Sequence, residues 1–253
     1  MPISNSFGAL SSNTFSLCGL ALLLAACASE PAIQRGEDAE VIDDRLYRVD
    51  NARFDFAYVD PEIDFGRYRQ VRLLPLDLDH AEIVQPSSGG GVGRLAREEW
   101  ELNDEDRQVL QDAYIEAMNG AIGRSERFTV TDAAGPDVIA VEAILTRLAP
   151  SAPRDDMRSR PAGHSRVFTQ GAGSISIAVA LVASESGEVL ALAKDTRDGE
   201  TDGWGLNERV SNIAEVRRVF GLWAGFVARG LDRIASQRSD GTEAGSDARA
   251  TEG

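Results

Sequence analysis

The apolar positions change period along the chain, and the changes mark the elements. Arg53-Phe54-Asp55-Phe56-Ala57-Tyr58-Val59 alternates and is broken by Asp60-Pro61, and Tyr68 to Leu76 resumes as an extended segment; both read as strands. The period then becomes helical. Leu110, Tyr114, Ala117, Met118, Ala121 and Ile122 fall on one face of an α-helix whose start is marked by Asn103 before Asp104, Glu105 and Asp106, a capping residue followed by acids at the positive end of the helix dipole. Period two returns in Arg127–Thr131, in Asp137–Ala149 with Ile139, Val141, Ala143 and Leu145 on one side, and in Ser174–Ala183 with Ile175, Ile177, Val179 and Leu181 on one side. Ser184-Glu185-Ser186-Gly187-Glu188 predicts a hairpin into Val189–Arg197, so the two strands it joins pair antiparallel. Ile213, Val216, Phe220, Trp223, Val227, Leu231 and Ile234 form the apolar stripe of a last helix, with Asn212 and Glu215 as its expected capping box. The stripe reads as core rather than as a docking face.

This order predicts an α/β (α+β) fold of two layers: a mainly antiparallel sheet with two long helices, near 103–124 and 209–235, packed on one face. No repeat and no second long apolar run interrupts it, so residues 46–235 are expected to form a single domain. Residues 236–253, made of Ser, Gly, Ala, Thr and charge, read as a disordered tail, and residues 27–45 as an acidic tether spanning roughly 20–25 Å on average.

The apolar run from Phe15 to Cys27 ends in Leu24-Ala25-Ala26-Cys27 and is too short to span a bilayer as a helix, for which about 20 residues are needed. It resembles the signal peptide and lipobox of a bacterial lipoprotein, although residues 1–14 carry no Lys or Arg. The resemblance implies that residues 1–26 are removed and that Cys27 becomes an acylated N-terminus. The chain has two cysteines, and Cys18 lies within the expected signal, so no disulfide would form in the mature protein. Triacylation at Cys27 would hold the protein in a lipid bilayer almost permanently. In lipoproteins of this kind the residues after the cysteine direct sorting, and Ala28-Ser29 resembles an outer-membrane address with the domain on the periplasmic face.

Charge narrows the choice of partner. Against 26 Lys and Arg stand 41 Asp and Glu, a formal net charge of -15, which disfavours nucleic acid. One segment runs against this balance: Pro150–Gly173 carries Arg154, Arg158, Arg160, His164 and Arg166 against Asp155 and Asp156. A long aperiodic connection is usually a solvated loop; the sharper expectation is a binding loop for an anionic partner, such as a lipid head group, a glycan or an acidic envelope protein.

Catalytic chemistry is thinly represented. The two histidines, His80 and His164, are far apart; there is no Gly-x-Ser-x-Gly and no His-Glu-x-x-His, and Gly171-Ala172-Gly173-Ser174 runs into a strand. The glycines of Gly89-Gly90-Gly91-Val92-Gly93 lack the Gly-Lys-Ser/Thr of a phosphate loop and read as a flexible connection. Asp195 and Arg197, with Asp198 at the end of the last strand, form a candidate strand-end site, although charges there are usually solvated or ion-paired. No metal site and no cofactor are expected.

Six features occur in order: the lipobox, Tyr58-Val59-Asp60-Pro61, Tyr68-Arg69-Gln70-Val71, the hairpin Ser184–Leu190, Lys194-Asp195-Thr196-Arg197-Asp198-Gly199 and Trp223-Ala224. Together they resemble a family of bacterial outer-membrane lipoproteins whose domain is of unknown function, over about residues 46–235. The resemblance implies no activity or catalytic residue. The expectation is therefore a non-catalytic accessory or interaction module of the cell envelope; the alternatives are a lipoprotein binding a small molecule or glycan near the 150–172 loop, and a hydrolase using Asp195 or His164.

Overall fold

The computed structural model describes residues 29–85, 101–149, 168–169, 173–198, 205–206 and 209–237. The chain begins with β1 (Ala32–Ile33), β2 (Val41–Ile42), β3 (Leu46–Asp50) and β4 (Phe56–Val59), followed by a 3-10 turn (Phe65–Arg67), β5 (Gln70–Leu73) and β6 (Glu82–Ile83). Helix α1 (Asp104–Ile122) leads to β7 (Thr129–Val130) and β8 (Val138–Ala149). The rest comprises β9 (Phe168–Thr169), β10 (Ser174–Ala183), β11 (Val189–Asp198), β12 (Gly205–Leu206) and α2 (Arg209–Gln237).

Among the described residues, ten strands form one mixed sheet in the order β1-β3-β4-β11-β10-β8-β5-β7, with β2 also on β3 and β6 also on β8; β9 and β12 pair separately. The protein is thus α+β. The long centre is antiparallel: β10 runs against β8 on one side and β11 on the other. One side of the sheet departs from the mainly antiparallel expectation, because β5 pairs parallel with both β7 and β8, and β6 parallel with β8.

The local chemistry explains where elements start and turn. Asn103 Oδ1 accepts from the Asp106 amide at 2.8 Å while the Asn103 amide donates to Asp106 Oδ2 at 3.3 Å, a reciprocal cap at the residue that the sequence predicts as the helix start. The β10–β11 hairpin turns with Gly187 at φ 73°, conformational space that a side chain would strain. Helix α2 begins at Arg209, so Asn212 lies inside it and is not its cap.

The segment expected as a tether contributes strands. Asp43 and Asp44, at φ 50° and 59°, make a tight turn closed by the Arg45 amide donating to Ile42 O, and this folds β2 back onto β3. Ala32 and Ile33 pair with Asp50 and Val49. Strands of two residues, Ala-Ile and Val-Ile within an acidic segment, are too short to show an alternation of their own, and they form because β3 offers them an unpaired edge.

The predicted inward positions of β8, Ile139, Val141, Ala143 and Leu145, are all buried, as are Ile175, Ile177 and Val179 of β10. In α2, Phe220, Trp223, Val227 and Leu231 are buried; in α1, Leu110, Tyr114, Met118, Ala121 and Ile122 are, with Ala113 joining them. The two helices pack on each other, with Tyr114 edge-on to Phe220 at 6.1 Å between ring centroids. Side chains of both helices meet the sheet around a void of about 10 Å³, at the lower limit for admitting one water.

Candidate functional site

Of the predicted site residues, Asp195 and Arg197 are brought into one constellation. Asp195 stands on β11 opposite Ile177, a buried position of β10, so its side chain enters the layer occupied by α2. It is fully buried, contrary to the usual solvated strand-end charge.

Four donors meet its carboxylate. The Arg197 guanidinium closes a two-point contact, Nε to Oδ2 at 2.5 Å and Nη2 to Oδ1 at 3.0 Å. The Asp55 amide donates to Oδ1 at 2.9 Å, and the Trp223 indole Nε1 to Oδ2 at 2.6 Å. Burial pushes the Asp195 carboxyl above the ordinary carboxylate range, and the bonds from Trp223, Arg197 and Asp55 oppose that rise.

The surroundings tie three segments together. The Thr196 amide donates to Asp55 Oδ2 at 2.9 Å, reciprocating the bond from Asp55, and Arg197 Nη2 also reaches Arg53 O at 3.1 Å. Arg197 lies 5.6 Å from the Phe226 ring, which meets Phe54 edge-on at 5.5 Å. The residues before β4, the end of β11 and the middle of α2 therefore share one clasp. Both oxygens of Asp195 are engaged and none of its surface reaches solvent, so the carboxylate has no opening for a substrate. The arrangement is suited to holding α2 on the sheet.

Sequence reasoning missed Trp223 and Asp55 as partners of Asp195. Trp223 belongs to the apolar stripe of its helix, and nothing in that pattern distinguishes an indole that donates to a carboxylate. A second buried carboxylate was also missed: Asp60, in Tyr58-Val59-Asp60-Pro61, accepts from Arg45 Nη1 at 3.2 Å and from the Glu62 amide at 2.9 Å. Arg45 also reaches Glu188 at 3.0 Å, joining the β2–β3 turn to the β10–β11 hairpin.

His80 is exposed and bonded through Nδ1 to Asp77 at 2.9 Å; the Asp79 amide and His80 hold the Asp77 carboxyl below its usual range. No nucleophile stands beside this pair among the contacts of the described residues. The binding-loop candidates Arg154, Arg158, Arg160, His164 and Arg166, and Cys27, lie outside the described residues. Among the described residues no three His, Cys, Asp or Glu side chains are grouped as metal ligands, and no helix is long and apolar enough to cross a membrane.

Comparison with known proteins places the chain by family and not by activity. No curated protein matches it. Solved structures that resemble it include the PelC dodecamer from Paraburkholderia phytofirmans (10% identity, 61% of this chain and 88% of that one, TM-score 0.30). Protein XCC0632 from Xanthomonas campestris, of the DUF330 family, is 12% identical over 68% of this chain and 87% of its own, with TM-score 0.35. The hypothetical protein CT253 from Chlamydia trachomatis is 14% identical over 66% and 99%, with TM-score 0.30. The family assignment is firmer, since one model spans from the β2–β3 turn to the middle of α2: matched over residues 43–226, this chain belongs to the DUF3313 family of proteins of unknown function.

Proposed function

We propose that this protein is a lipoprotein of the bacterial outer membrane, triacylated at Cys27 and facing the periplasm, whose domain serves as a non-catalytic accessory or interaction module. The observation that carries the reading is the uncharged run from Phe15 that ends in Leu24-Ala25-Ala26-Cys27 and passes at once into polar sequence. Removal of residues 1–26 leaves Cys27 as the one cysteine of the mature chain, and acylation gives that residue a use.

The best-placed acid, Asp195, is buried and fully bonded, and its bonds tie α2 to the sheet, which suits a structural part for it in such a module.

The test is intact mass of the protein recovered from membrane fractions, for the wild type and for Cys27→Ala, followed by crosslinking of the wild type in cells. A mass beginning at Cys27 plus acyl chains, with the variant released or left unprocessed, is the expected result. An unmodified full-length chain in the cytoplasm would overturn the reading.

A further inference from the structure

The strands formed by the expected tether change where an acylated Cys27 would place the domain. Only residues 28–31 separate Cys27 from β1, and Glu30 O already accepts from Asn51 Nδ2 at 3.5 Å. Three extended residues reach no further than about 11 Å, so the anchor stays close to Glu30 and to the β1 edge of the sheet.

Phe56 lies on that side. Ala32 pairs with Asp50 of β3, and β3 in turn pairs Tyr47 with Val59 and Arg48 with Tyr58 of β4, the strand that Phe56 begins. β4 is therefore two strand spacings, about 10 Å, from β1. At 49% exposure it is the most exposed of the large hydrophobic side chains among the described residues.

Its neighbours are cationic in a strongly acidic chain. The Arg48 guanidinium sits 4.6 Å from the Phe56 ring centroid and 5.4 Å from that of Tyr58, held by Asp55 O and Tyr58 Oη, and Tyr58 in turn donates to Glu40. Lys194, exposed, is the direct cross-strand partner of Phe56. Asp50, at the end of β3, accepts from Gln34 Nε2 at 2.7 Å. An exposed aromatic ring flanked by Arg and Lys matches the interfacial layer of a bilayer, where rings settle among head groups and cations meet lipid phosphate.

We propose that Phe56, with Arg48 and Lys194, forms a membrane-contact face that lays the β1–β4 side of the sheet against the phosphate-bearing head groups of the bilayer in which Cys27 is anchored. The proposal rests on the lipidation reading, and the short span from Cys27 to Glu30 selects the occupant: the bilayer is the surface that this side of the domain cannot leave.

The experiment uses the mature, acylated protein purified from membranes as Phe56→Cys, with Val130→Cys as a control on β7 at the opposite side of the sheet, where Val130 is 40% exposed. Each is labelled with a thiol-reactive fluorophore and reconstituted into phosphatidylethanolamine–phosphatidylglycerol vesicles containing head-group nitroxide lipid. Acylation consumes the thiol of Cys27, so each variant should take one label per chain, and the probe at 56 should be quenched several-fold more than that at 130. Equal quenching, or stronger quenching at 130, with one label per chain overturns the contact face and leaves the anchor standing. More than one label per chain, in protein that fails to join vesicles, shows free Cys27 and overturns both. Lys194→Cys repeats the measurement from the neighbouring strand, should Phe56→Cys fold poorly.

Discussion

The Trp223 indole donates its N–H to Asp195 Oδ2 at 2.6 Å, joining the middle of α2 to β11 where Asp195 pairs with Ile177 of β10. The carboxylate is fully buried and the indole nearly so, so the bond is formed away from water, where a missing partner costs most. The bond gives α2 a defined position along the sheet that apolar contacts alone would specify less sharply.

Trp223→Phe keeps an aromatic ring and deletes the donor. The expected loss is about 2–4 kcal/mol, combining a hydrogen bond to a charged group with the volume removed from the core. The urea unfolding midpoint should fall with an unchanged slope; an unaltered midpoint would show that the bond does not hold the helix.

Asp195→Ala removes the acceptor shared by Arg197, Trp223 and the Asp55 amide, and should cost about 3–5 kcal/mol. Its pH dependence has a definite sign. Because burial raises the folded-state pKa of Asp195, the native protein keeps a proton that the unfolded chain, titrating near 3.9, has already lost. The stability this contributes is complete below that unfolded value and disappears as pH rises through the folded one. The margin of the wild type over Asp195→Ala, followed by thermal unfolding across the acidic range, should therefore shrink with rising pH.

Tyr114→Phe should leave the protein as stable or raise its stability by up to about 1 kcal/mol. The Tyr114 hydroxyl is buried beside the apolar void and has no hydrogen-bond partner among the described residues, and burial pushes its pKa above the ordinary phenol value. Chemical denaturation of the pair measures this directly, and a loss greater than 1 kcal/mol would reveal a partner for the hydroxyl.

Gly187→Ala isolates a backbone effect. Beyond its two chain neighbours, no atom lies within 4 Å of where the new Cβ would stand, so the expected cost of about 1 kcal/mol comes from forcing an alanine to φ 73° in the β10–β11 turn. Equal thermal midpoints for the two proteins would mean that the turn relaxes to another conformation.

Much of the fold was legible because its long elements carry their burial in their own spacing. The alternation of β10 predicted its span and, as far as Val179, its buried side, beyond which a register shift at Leu181/Val182 leaves Leu181 half-buried and buries Val182; Asn103 and Asp106 predicted the start of α1, and Phe220, Trp223, Val227 and Leu231 the buried stripe of α2. Less was legible for the candidate site. Asp195 and Arg197 were singled out as a strand-end pair, but two of the carboxylate's donors, from Asp55 and Trp223, come from 140 and 28 residues away, and neither position advertises a polar role.

By itself the sequence determined the helices, the β10–β11 hairpin, the α+β class and the apolar run ending at Cys27, because each is a local pattern that one segment can express. The tertiary structure decided that β5 lies parallel between β7 and β8, that Ala32–Ile33 and Val41–Ile42 become edge strands, and that Asp195 is the acceptor of a buried clasp. These depend on which distant segment supplies an edge, a donor or a cover. A hydrophobic period records that a side chain is buried; it does not record against what.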